Sequence, residues 1–270
     1  MREAKYLEIT EWLATQPLDV KVQHSLDLIK KVVEDFGDEI AVAFSGGKDS
    51  LVALHLTLQT KPDVKVVWNN TLVEYPETVK FVRQLAKEWN LNFHETRPKI
   101  TYWKIVEKHG FPKLRWSDRS NPGGGKPVCC KLLKIRPTEE WCILNNCKAI
   151  IDGITFDEAR YRRLALFHLG LVHKIKGTHR ELIRLTKIHP IGFWKQQDVW
   201  EYIRINKLPF NPLYLTHCRV GCLPCTGHKY WRETIAQYNP KLLAFILRKM
   251  RELGDPRGSQ TTLSEVEENA

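Results

Sequence analysis

The chain has 270 residues, of which 43% are hydrophobic, so it is long and apolar enough to bury a substantial core. No apolar run reaches the about 18 residues of a membrane span, and the first residues lack a signal-peptide core, so we expect a cytoplasmic protein without a membrane partner. The formal net charge of +11 favours a polyanionic partner, with solvated basic helix faces as the equal alternative.

The first half of the chain alternates between strand-like and helix-like apolar patterns. Short apolar runs between turn residues predict strands, and apolar side chains that recur every three or four residues predict helices. The predicted strands are 39–44, 64–70, 91–96 and 148–154, and the predicted helices are 22–36, 51–59, 76–90 and one that ends near 146. This alternation predicts an α/β fold, with a parallel twisted sheet and helices on both of its faces.

The second half is more irregular. Residues 196–206 predict one helix, a Pro- and Gly-rich loop follows, and residues 229–253 predict C-terminal helices interrupted at Pro240. The polar, acidic end predicts a disordered tail. We therefore expect four regions, an N-terminal segment, a sheet domain, a cysteine-bearing loop with C-terminal helices, and the tail: 1–21, 22–216, 217–255 and 256–270.

The segment SGGKDS follows the first predicted strand and leads into a helix. It consists of Ser45, Gly46, Gly47, Lys48, Asp49 and Ser50. Its glycines let the backbone N–H groups approach an anion, its serines and lysine add donors and charge, and its aspartate suits a Mg²⁺ ion or a helix cap. The spacing is not that of a Walker loop, which disfavours a kinase or GTPase. A purely structural turn would need the glycines but not their neighbours, so we predict a nucleotide phosphate site.

SGGKDS after a strand resembles the motif of the PP-loop ATP pyrophosphatases, which share the adenine nucleotide α-hydrolase-like fold. The resemblance implies binding of ATP and Mg²⁺ and activation of a substrate as its adenylate, with Lys48 and Asp49 in catalytic roles. The reductases of adenylyl sulfate and of its 3′-phosphorylated relative share this fold. Three further segments resemble that reductase branch, so the resemblance covers about residues 20–245: VVWNNTLVEYPETVKFV, GITFDEARYR and IHPIGFWKQQDVWEYIRINKLPFNPLY.

Some positions depart from the reductase pattern. Residues 70–72 are Asn-Thr-Leu where the branch has Asp-Thr-Gly, and Thr155 replaces the usual arginine. The resemblance implies that the segment around Asn70 and Glu74 lies near the adenosine. Three arginines are candidates for contacts with phosphate: Arg160, Arg162 and Arg163. An equally good explanation is that they are charged surface residues without a ligand.

Four of the seven cysteines form two groups, the adjacent pair Cys129–Cys130 and the CxxC pair Cys222 and Cys225. Four thiolates suit zinc or an iron–sulfur cluster, and the alternative is that the thiols are unliganded or form disulfides. Adjacent thiolates would crowd one small ion, whereas a cubane offers them separate irons. The arrangement resembles the 4Fe–4S ligand set of plant and bacterial adenylyl-sulfate reductases, which implies such a cluster here.

The other cysteines are less informative. Cys218 is a spare thiol, a nucleophile or an alternative ligand, and Cys142 and Cys147 are expected to be packing residues. No cysteine follows Cys225, whereas the reductases attack sulfate sulfur with a cysteine near the C-terminus. This disfavours reduction by that route, because a thiolate is the capable side-chain nucleophile for the attack.

PP-loop relatives that lack the C-terminal cysteine include tRNA thiolases and DNA phosphorothioation proteins. We therefore hypothesise an ATP pyrophosphatase of the sulfurtransferase type that thiolates a nucleic acid, with a cysteine desulfurase as sulfur donor and Cys218 as a catalytic thiol. One alternative is a reductase of adenylyl sulfate or phosphoadenylyl sulfate, and another is a non-catalytic nucleotide-binding subunit. The oligomeric state is open, with a homodimer as one option.

Overall fold

Residues 5–113, 127–175, 185–217 and 219–259 are described by a computed structural model of the chain. They form two compact units, each assembled from three separate segments. The sheet unit takes the described residues of 1–70, 76–97 and 135–220, and the cysteine unit takes those of 71–75, 98–134 and 221–270. Among the helices in these ranges, none has the length and apolar character needed to cross a membrane.

The secondary structure elements are numbered along the chain. The strands are β1 (Ile40–Ala43), β2 (Lys65–Asn69), β3 (Asn92–Thr96), β4 (Ala149–Ile151), β5 (Val172–Ile175) and β6 (Leu185–Ile188). The helices are α1 (Leu7–Thr15), α2 (Leu18–Phe36), α3 (Lys48–Thr60), α4 (Pro76–Glu88), α5 (Tyr102–His109), α6 (Val128–Cys130), α7 (Arg136–Leu144), α8 (Arg160–Leu169), α9 (Gln196–Ile205), α10 (Trp231–Tyr238) and α11 (Pro240–Glu252).

The sheet unit is built on a six-stranded sheet in the order β3-β2-β1-β4-β6-β5. All neighbouring strands are parallel except β5, which pairs with β6 in the antiparallel direction. Successive side chains of a strand point to opposite faces, so Ile40 and Val42 pack into the cluster that contains α3, whereas Ala41 packs with Cys142 of α7 on the other face. The predicted α/β fold with helices on both faces is therefore confirmed.

The predicted elements agree with the structure to within a few residues at their ends. The prediction missed α1, α5, α6, α8, β5 and β6. The last two strands have four residues each, and β5 alternates between exposed and half-buried side chains, so neither produces a long apolar run. A short edge strand of this kind carries little sequence signal.

One buried ion pair joins α2 to α9 within the sheet unit. Lys21 Nζ lies 2.6 Å from Asp198 Oδ2, and the two side chains are only 2% and 8% exposed. The same carboxylate oxygen accepts the backbone N–H of Lys195 at 2.6 Å and so caps the start of α9. A polar pair thus holds two helices together where an apolar contact would be the usual choice.

The cysteine unit has its own core. Apolar side chains of α5 and of the C-terminal helices α10 and α11 pack together there, among them Ile105, Trp231, Ile235, Ile246 and Met250. The predicted interruption of the C-terminal helices is observed: Asn239 separates α10 from α11, and its side chain caps Leu242 N at 3.0 Å.

The predicted disordered tail, 256–270, includes residues that have a defined structure. Pro256–Gly258 form a 3₁₀ turn after α11, and a Cβ added to Gly258 would lie 2.7 Å from the Met250 side chain. Close packing against α11 therefore orders residues 256–258, which sequence composition alone does not reveal. The rest of the predicted tail, 260–270, lies outside the described residues.

Candidate functional site

The SGGKDS loop connects the carboxyl end of β1 to the first turn of α3 in the sheet unit. Gly46 has a φ of +74°, a conformation that favours glycine, and a Cβ there would lie 2.7 Å from Val82 Cγ2. Gly153, just beyond β4, packs still more closely, because a Cβ there would lie 2.4 Å from both Asp49 C and Ser50 N. The loop is therefore held by backbone-to-backbone contact.

Hydrogen bonds fix the loop from within. Ser50 Oγ accepts the backbone N–H of Ser45 at 3.1 Å and donates to Gly47 O at 2.9 Å. The N-terminal turn of α3 begins at Lys48, where backbone N–H groups and the helix dipole favour an anion. Lys48 Nζ lies 2.7 Å from Asp49 Oδ2, and both side chains are largely buried. Lys48, predicted to bind phosphate, and Asp49, predicted to bind Mg²⁺, are therefore in direct contact.

Several polar residues from distant parts of the chain contact the loop, and none of them is among the residues predicted for the site. Tyr214 Oη accepts the backbone N–H of Lys48 at 3.1 Å, and Gln196 Nε2 donates to Thr155 Oγ1 at 3.0 Å and to Asp49 Oδ1 at 3.4 Å. Asn211 Nδ2 donates to Gly46 O at 3.3 Å. The signal for them was the matching segment 188–214, in which they could not be told apart from packing residues.

The turn that carries Gly153 is braced by a charged cluster. Asp152 Oδ1 lies 2.6 Å from His189 Nδ1 and accepts the backbone N–H of Ile154 at 3.2 Å. Burial alone would raise the pKa of the Asp152 carboxyl, but His189 and Lys187 hold this pKa well below its usual range. An ionised Asp152 therefore stabilises the turn against which the loop rests.

The predicted arginines begin α8. Arg160 is exposed at its first turn, Arg162 pairs with Glu158, and Arg163 lies 3.8 Å from Asp157. Burial raises the pKa of the Glu158 carboxyl, although Arg162 opposes this. Lys48, Asp49 and Arg219 also act electrostatically on Glu158, so this helix start belongs to the same charged region as the loop.

Asn70 and Glu74, predicted together near the adenosine, fall in different units. Asn70 is buried in the sheet unit, and its Nδ2 donates to Glu95 Oε1 at 2.9 Å. Arg83 and Arg97 also donate to Glu95. Burial alone would raise the pKa of Glu95, but these three hydrogen-bonded neighbours lower it to about 2. Asn70 thus belongs to an ionised cluster at the carboxyl ends of β2 and β3.

Replacing Glu95 with glutamine should destabilise the chain by about 1–2 kcal/mol at pH 7, after allowance for solvent screening of the half-exposed arginines. The pKa of Glu95 lies below its ordinary value of 4.5, so its stabilising contribution is present above about pH 5 and disappears as the pH falls towards 2. The measurement is urea unfolding of parent and Glu95→Gln between pH 3 and pH 7. A Glu140→Gln control, in an exposed pair, should change stability by less than about 0.5 kcal/mol. A pH-independent difference would contradict this prediction.

Glu74 lies in the cysteine unit beside one of the predicted metal ligands. It forms an antiparallel bridge with Cys222, and its Oε1 accepts Thr71 Oγ1 at 2.7 Å. Lys134 Nζ lies 3.7 Å from the same oxygen, and Thr71 Oγ1 lies 3.6 Å from Cys222 Sγ. In this unit, therefore, Glu74 is a neighbour of the CxxC segment.

The four predicted ligand cysteines all belong to the cysteine unit. Cys129 and Cys130 are the last two residues of α6, which continues into a π-helical turn at Lys131–Ile135. In the CxxC loop, Cys225 N donates to Cys222 O at 3.2 Å, and Tyr102 Oη donates to Pro224 O at 2.8 Å. Both cysteine pairs therefore sit on locally defined backbone.

The thiols act on one another electrostatically. A hydrogen bond with Cys130, then burial, and then the charges of Cys225 and Cys222 raise the pKa of the Cys129 thiol far above its usual range. Burial raises the pKa of Cys222 to about 12, although Lys134 opposes this. Within the described ranges no three His, Cys, Asp or Glu side chains are placed to hold one metal ion. The four sulfurs thus share one region without forming a single-ion site.

Arg257 stabilises the CxxC loop and its surroundings through hydrogen bonds to backbone carbonyl groups. Its guanidinium donates to Pro112 O at 3.1 Å, Thr226 O at 3.3 Å and Phe111 O at 3.3 Å, and it also pairs with Asp255 at 2.7 Å. The side chain is 19% exposed, so these bonds are largely shielded from water. A planar fork of donors can serve several acceptors at once, which a lysine cannot do.

Replacing Arg257 with lysine should therefore lower the stability of the cysteine unit by about 1–3 kcal/mol, because buried carbonyl groups lose their donors. The measurement is hydrogen exchange of residues 222–226, which should become faster, together with thermal unfolding. Arg248→Lys, at an exposed position of α11, is the matched control and should change neither. Unchanged exchange in Arg257→Lys would show that the loop does not depend on the guanidinium.

Cys218, the predicted catalytic thiol, lies outside the described residues. Cys142 and Cys147 are buried in the sheet unit, as expected for packing residues. The roles assigned to the loop, to Asn70, Glu74 and Arg160, and to the four ligand cysteines remain predictions.

The sheet order, the glycine loop at the carboxyl end of β1 and the helix that follows it define a PP-loop protein of the adenine nucleotide α-hydrolase-like class. The chain belongs to the phosphoadenosine phosphosulfate reductase domain family, whose model matches residues 39–228. It is similar to adenosine 5′-phosphosulfate reductases of Bacillus cereus (strain AH187) and Bacillus thuringiensis subsp. konkukian (strain 97-27). Each is 33% identical over 204 residues, which is 75% of this chain and 79% of the relative.

Solved structures show the same fold. Phosphoadenylyl-sulfate reductase from Candida auris matches with a TM-score of 0.54 and 20% identity, over 76% of this chain and 93% of that one. FMN adenylyltransferase from Candida glabrata matches with a TM-score of 0.52 and 16% identity, over 83% of this chain and 72% of that one. The predicted PP-loop and reductase-like resemblance is therefore confirmed at the level of the family.

Proposed function

We propose that this chain is a sulfonucleotide reductase, which binds adenylyl sulfate or its 3′-phosphorylated relative and releases sulfite and an adenine nucleotide. The observation that carries this proposal is the 33% identity to adenosine 5′-phosphosulfate reductases over three quarters of the chain. The comparisons thus favour the reductase alternative over the sulfur-transfer hypothesis drawn from the sequence. Two thiols supply the electrons: they become a disulfide while the sulfate sulfur is reduced to sulfite and the nucleotide leaves.

The loop geometry supports binding of the nucleotide's anionic end. Backbone N–H groups at the start of α3 are donors, and Lys48 supplies a positive charge. The Ser50 hydroxyl donates to Gly47 O, so it is Ser45, whose Oγ lies 2.9 Å from Ser50 Oγ, that would turn its hydroxyl to the anion. Arg160, exposed at the start of α8, would be a second cation for the same anion. Cys218 is the candidate thiol for the attack on sulfur, and an external thiol is its alternative.

The four thiols of the cysteine unit fit an iron–sulfur cluster by their chemistry. A hydrogen bond with Cys130 raises the pKa of Cys129, and burial raises the pKa of Cys222, so these two thiols resist ionisation in the unliganded unit. Bound iron would remove this penalty, because metal ligation deprotonates a thiol. Cys129, Cys130, Cys222 and Cys225 would hold a 4Fe–4S cluster, which supplies positive charge to these thiolates. Lys134 and Thr71 would remain next to Cys222.

A second candidate function is ATP-dependent sulfur transfer to a nucleic acid, with a cysteine desulfurase as donor. The observation that favours it is the Lys48–Asp49 pair, at 2.7 Å, in an intact SGGKDS loop. A carboxylate beside a phosphate loop repels a lone phosphate but holds Mg²⁺, and ATP requires Mg²⁺ more than a sulfonucleotide does.

The experiment uses anaerobically purified protein with the two kinds of substrate in parallel. Adenylyl sulfate and phosphoadenylyl sulfate, each with excess dithiol, test for sulfite, and ATP with Mg²⁺, sulfide and a nucleic acid tests for pyrophosphate. Sulfite release that falls at least about tenfold in Lys48→Ala supports the reductase. Pyrophosphate release without sulfite supports sulfur transfer, and neither product would overturn both. Lys61→Ala, which changes a lysine in the same unit that pairs with the exposed Asp38, is the control.

Iron and sulfide counts on the same preparation test the cluster separately. About four irons per chain in the parent and in Cys218→Ser, with loss in Cys222→Ser, would support the proposed ligand set. Zinc, or no metal, would overturn the cluster while leaving the activity assay valid.

A further inference from the structure

Two buried cysteines of the sheet unit lie apart from the four proposed ligands. Cys142 is in the last turn of α7, and Cys147 precedes β4. Both therefore lie near the amino ends of the parallel strands, whereas the SGGKDS loop lies at their carboxyl ends. Their exposed fractions are 0% and 6%. Nothing in the proposed function uses them.

The end of α7 brings the two residues together. Cys147 N donates to Cys142 O at 2.8 Å, Asn146 N donates to Ile143 O at 3.2 Å, and Asn146 has a φ of +52°. These are the bonds and the left-handed residue of a Schellman motif, in which the side chains at the two ends of the 6→1 bond pack against each other. That contact is ordinarily apolar, and here it joins two thiols.

The thiols differ in their tendency to ionise. A hydrogen bond from Cys142 lowers the pKa of Cys147, as does the nearby charge of Lys65, whereas the same pairing and burial raise the pKa of Cys142. Lys65 is held at this helix end, because its Nζ donates to Asn145 O at 3.3 Å and to Asp38 O at 2.8 Å. Cys147, which is also the less buried of the two, is therefore the nucleophilic thiol of the pair, and Cys142 is the resolving thiol.

We propose that Cys142 and Cys147 are a dithiol site that low-molecular-weight disulfides convert into an intramolecular disulfide. The Cys147 thiolate attacks one sulfur of the small disulfide, forms a mixed disulfide and releases one small thiolate. Cys142 then loses its proton, and its sulfur attacks Cys147 Sγ and releases the second small thiolate. The two protein thiols are oxidised, and the small disulfide is reduced to two thiols.

The site does not depend on the proposed function, and its chemistry can be read directly. Trypsin cleavage after Lys134 and Lys148 gives the peptide 135–148, which contains Cys142 and Cys147 and no other cysteine. The full chain is equilibrated with glutathione buffers of increasing disulfide content, quenched with an alkylating reagent and digested. The disulfide makes this peptide about 2 Da lighter than its dithiol form and prevents both alkylations.

The synthetic peptide 135–148 is the matched control, because it has the same cysteines without the fixed helix end. We expect the equilibrium constant for disulfide formation to be at least about tenfold larger in the folded chain than in the peptide. Equal constants, or two alkylated cysteines in the folded chain under buffers that oxidise the peptide, would overturn the proposal. Cys147→Ser should leave Cys142 able to form only a mixed disulfide, and a mixed disulfide already dominant in the parent would also overturn it.

Discussion

Replacing Gly153 with alanine should weaken nucleotide binding at least about 100-fold and lower the free energy of unfolding by about 2–3 kcal/mol. The new Cβ would lie 2.4 Å from Asp49 C and Ser50 N and 2.5 Å from Asp49 O. These are backbone atoms of the phosphate loop and cannot rotate away, so the loop or the β4 end must move. A shift of even about 1 Å misplaces the N–H donors at the start of α3.

The measurement is calorimetric titration with the nucleotide that the activity assay identifies, together with urea unfolding. Gly227→Ala is the matched control, because a Cβ there has ordinary contacts of 3.5 Å and longer. It should change stability by less than about 1 kcal/mol. Normal affinity in Gly153→Ala would show that the loop does not rest on this turn for its conformation.

Replacing Lys21 with alanine should destabilise the sheet unit by about 3–5 kcal/mol, because it leaves the Asp198 carboxylate buried without its cation. Asp198 also caps α9 through Lys195 N, so it cannot turn towards water without losing that bond. Stability should then depend strongly on pH, since protonation relieves the unpaired charge. Urea unfolding at pH 7 and pH 5 measures both effects.

Lys61→Ala is the control, since its partners Asp38 and Asp63 are largely exposed, and it should cost less than about 1 kcal/mol. The double variant Lys21→Met with Asp198→Leu should recover much of the lost stability, because no charge remains buried. A double variant as unstable as Lys21→Ala would indicate that helix capping by Asp198, and not its pairing with Lys21, is the larger contribution.

The parts of the candidate site that the sequence alone indicates lie in short, dense segments. The SGGKDS loop has six consecutive residues whose chemistry predicts an anion site, so this prediction needs no knowledge of the fold. The strand-loop-helix context follows from local apolar patterns, and β1 and α3 appear where those patterns place them. The two cysteine pairs are likewise local motifs, although only folding can bring one pair to the other.

The parts that were missed depend on contacts between distant segments. Tyr214, Gln196 and Asn211 reach the loop from more than 100 residues away, and their sequence neighbourhood resembles ordinary helix and turn. For Glu74, the family resemblance implies a place near the adenosine, which stays a prediction. Its backbone bridge to Cys222 makes it part of the cysteine unit, and no local pattern encodes such a bridge.

The interleaving of the two units has a consequence for synthesis on the ribosome. Cys130 is made about 90 residues before Cys222, which takes about 5–18 s at ordinary elongation rates. During that interval the chain contains Cys129 and Cys130 but not yet Cys222 and Cys225, even if the sheet unit has begun to fold. The cysteine unit therefore completes only after translation of its last segment, so we expect delivery of iron for the proposed cluster to follow synthesis and a chain cut before residue 221 not to form this unit.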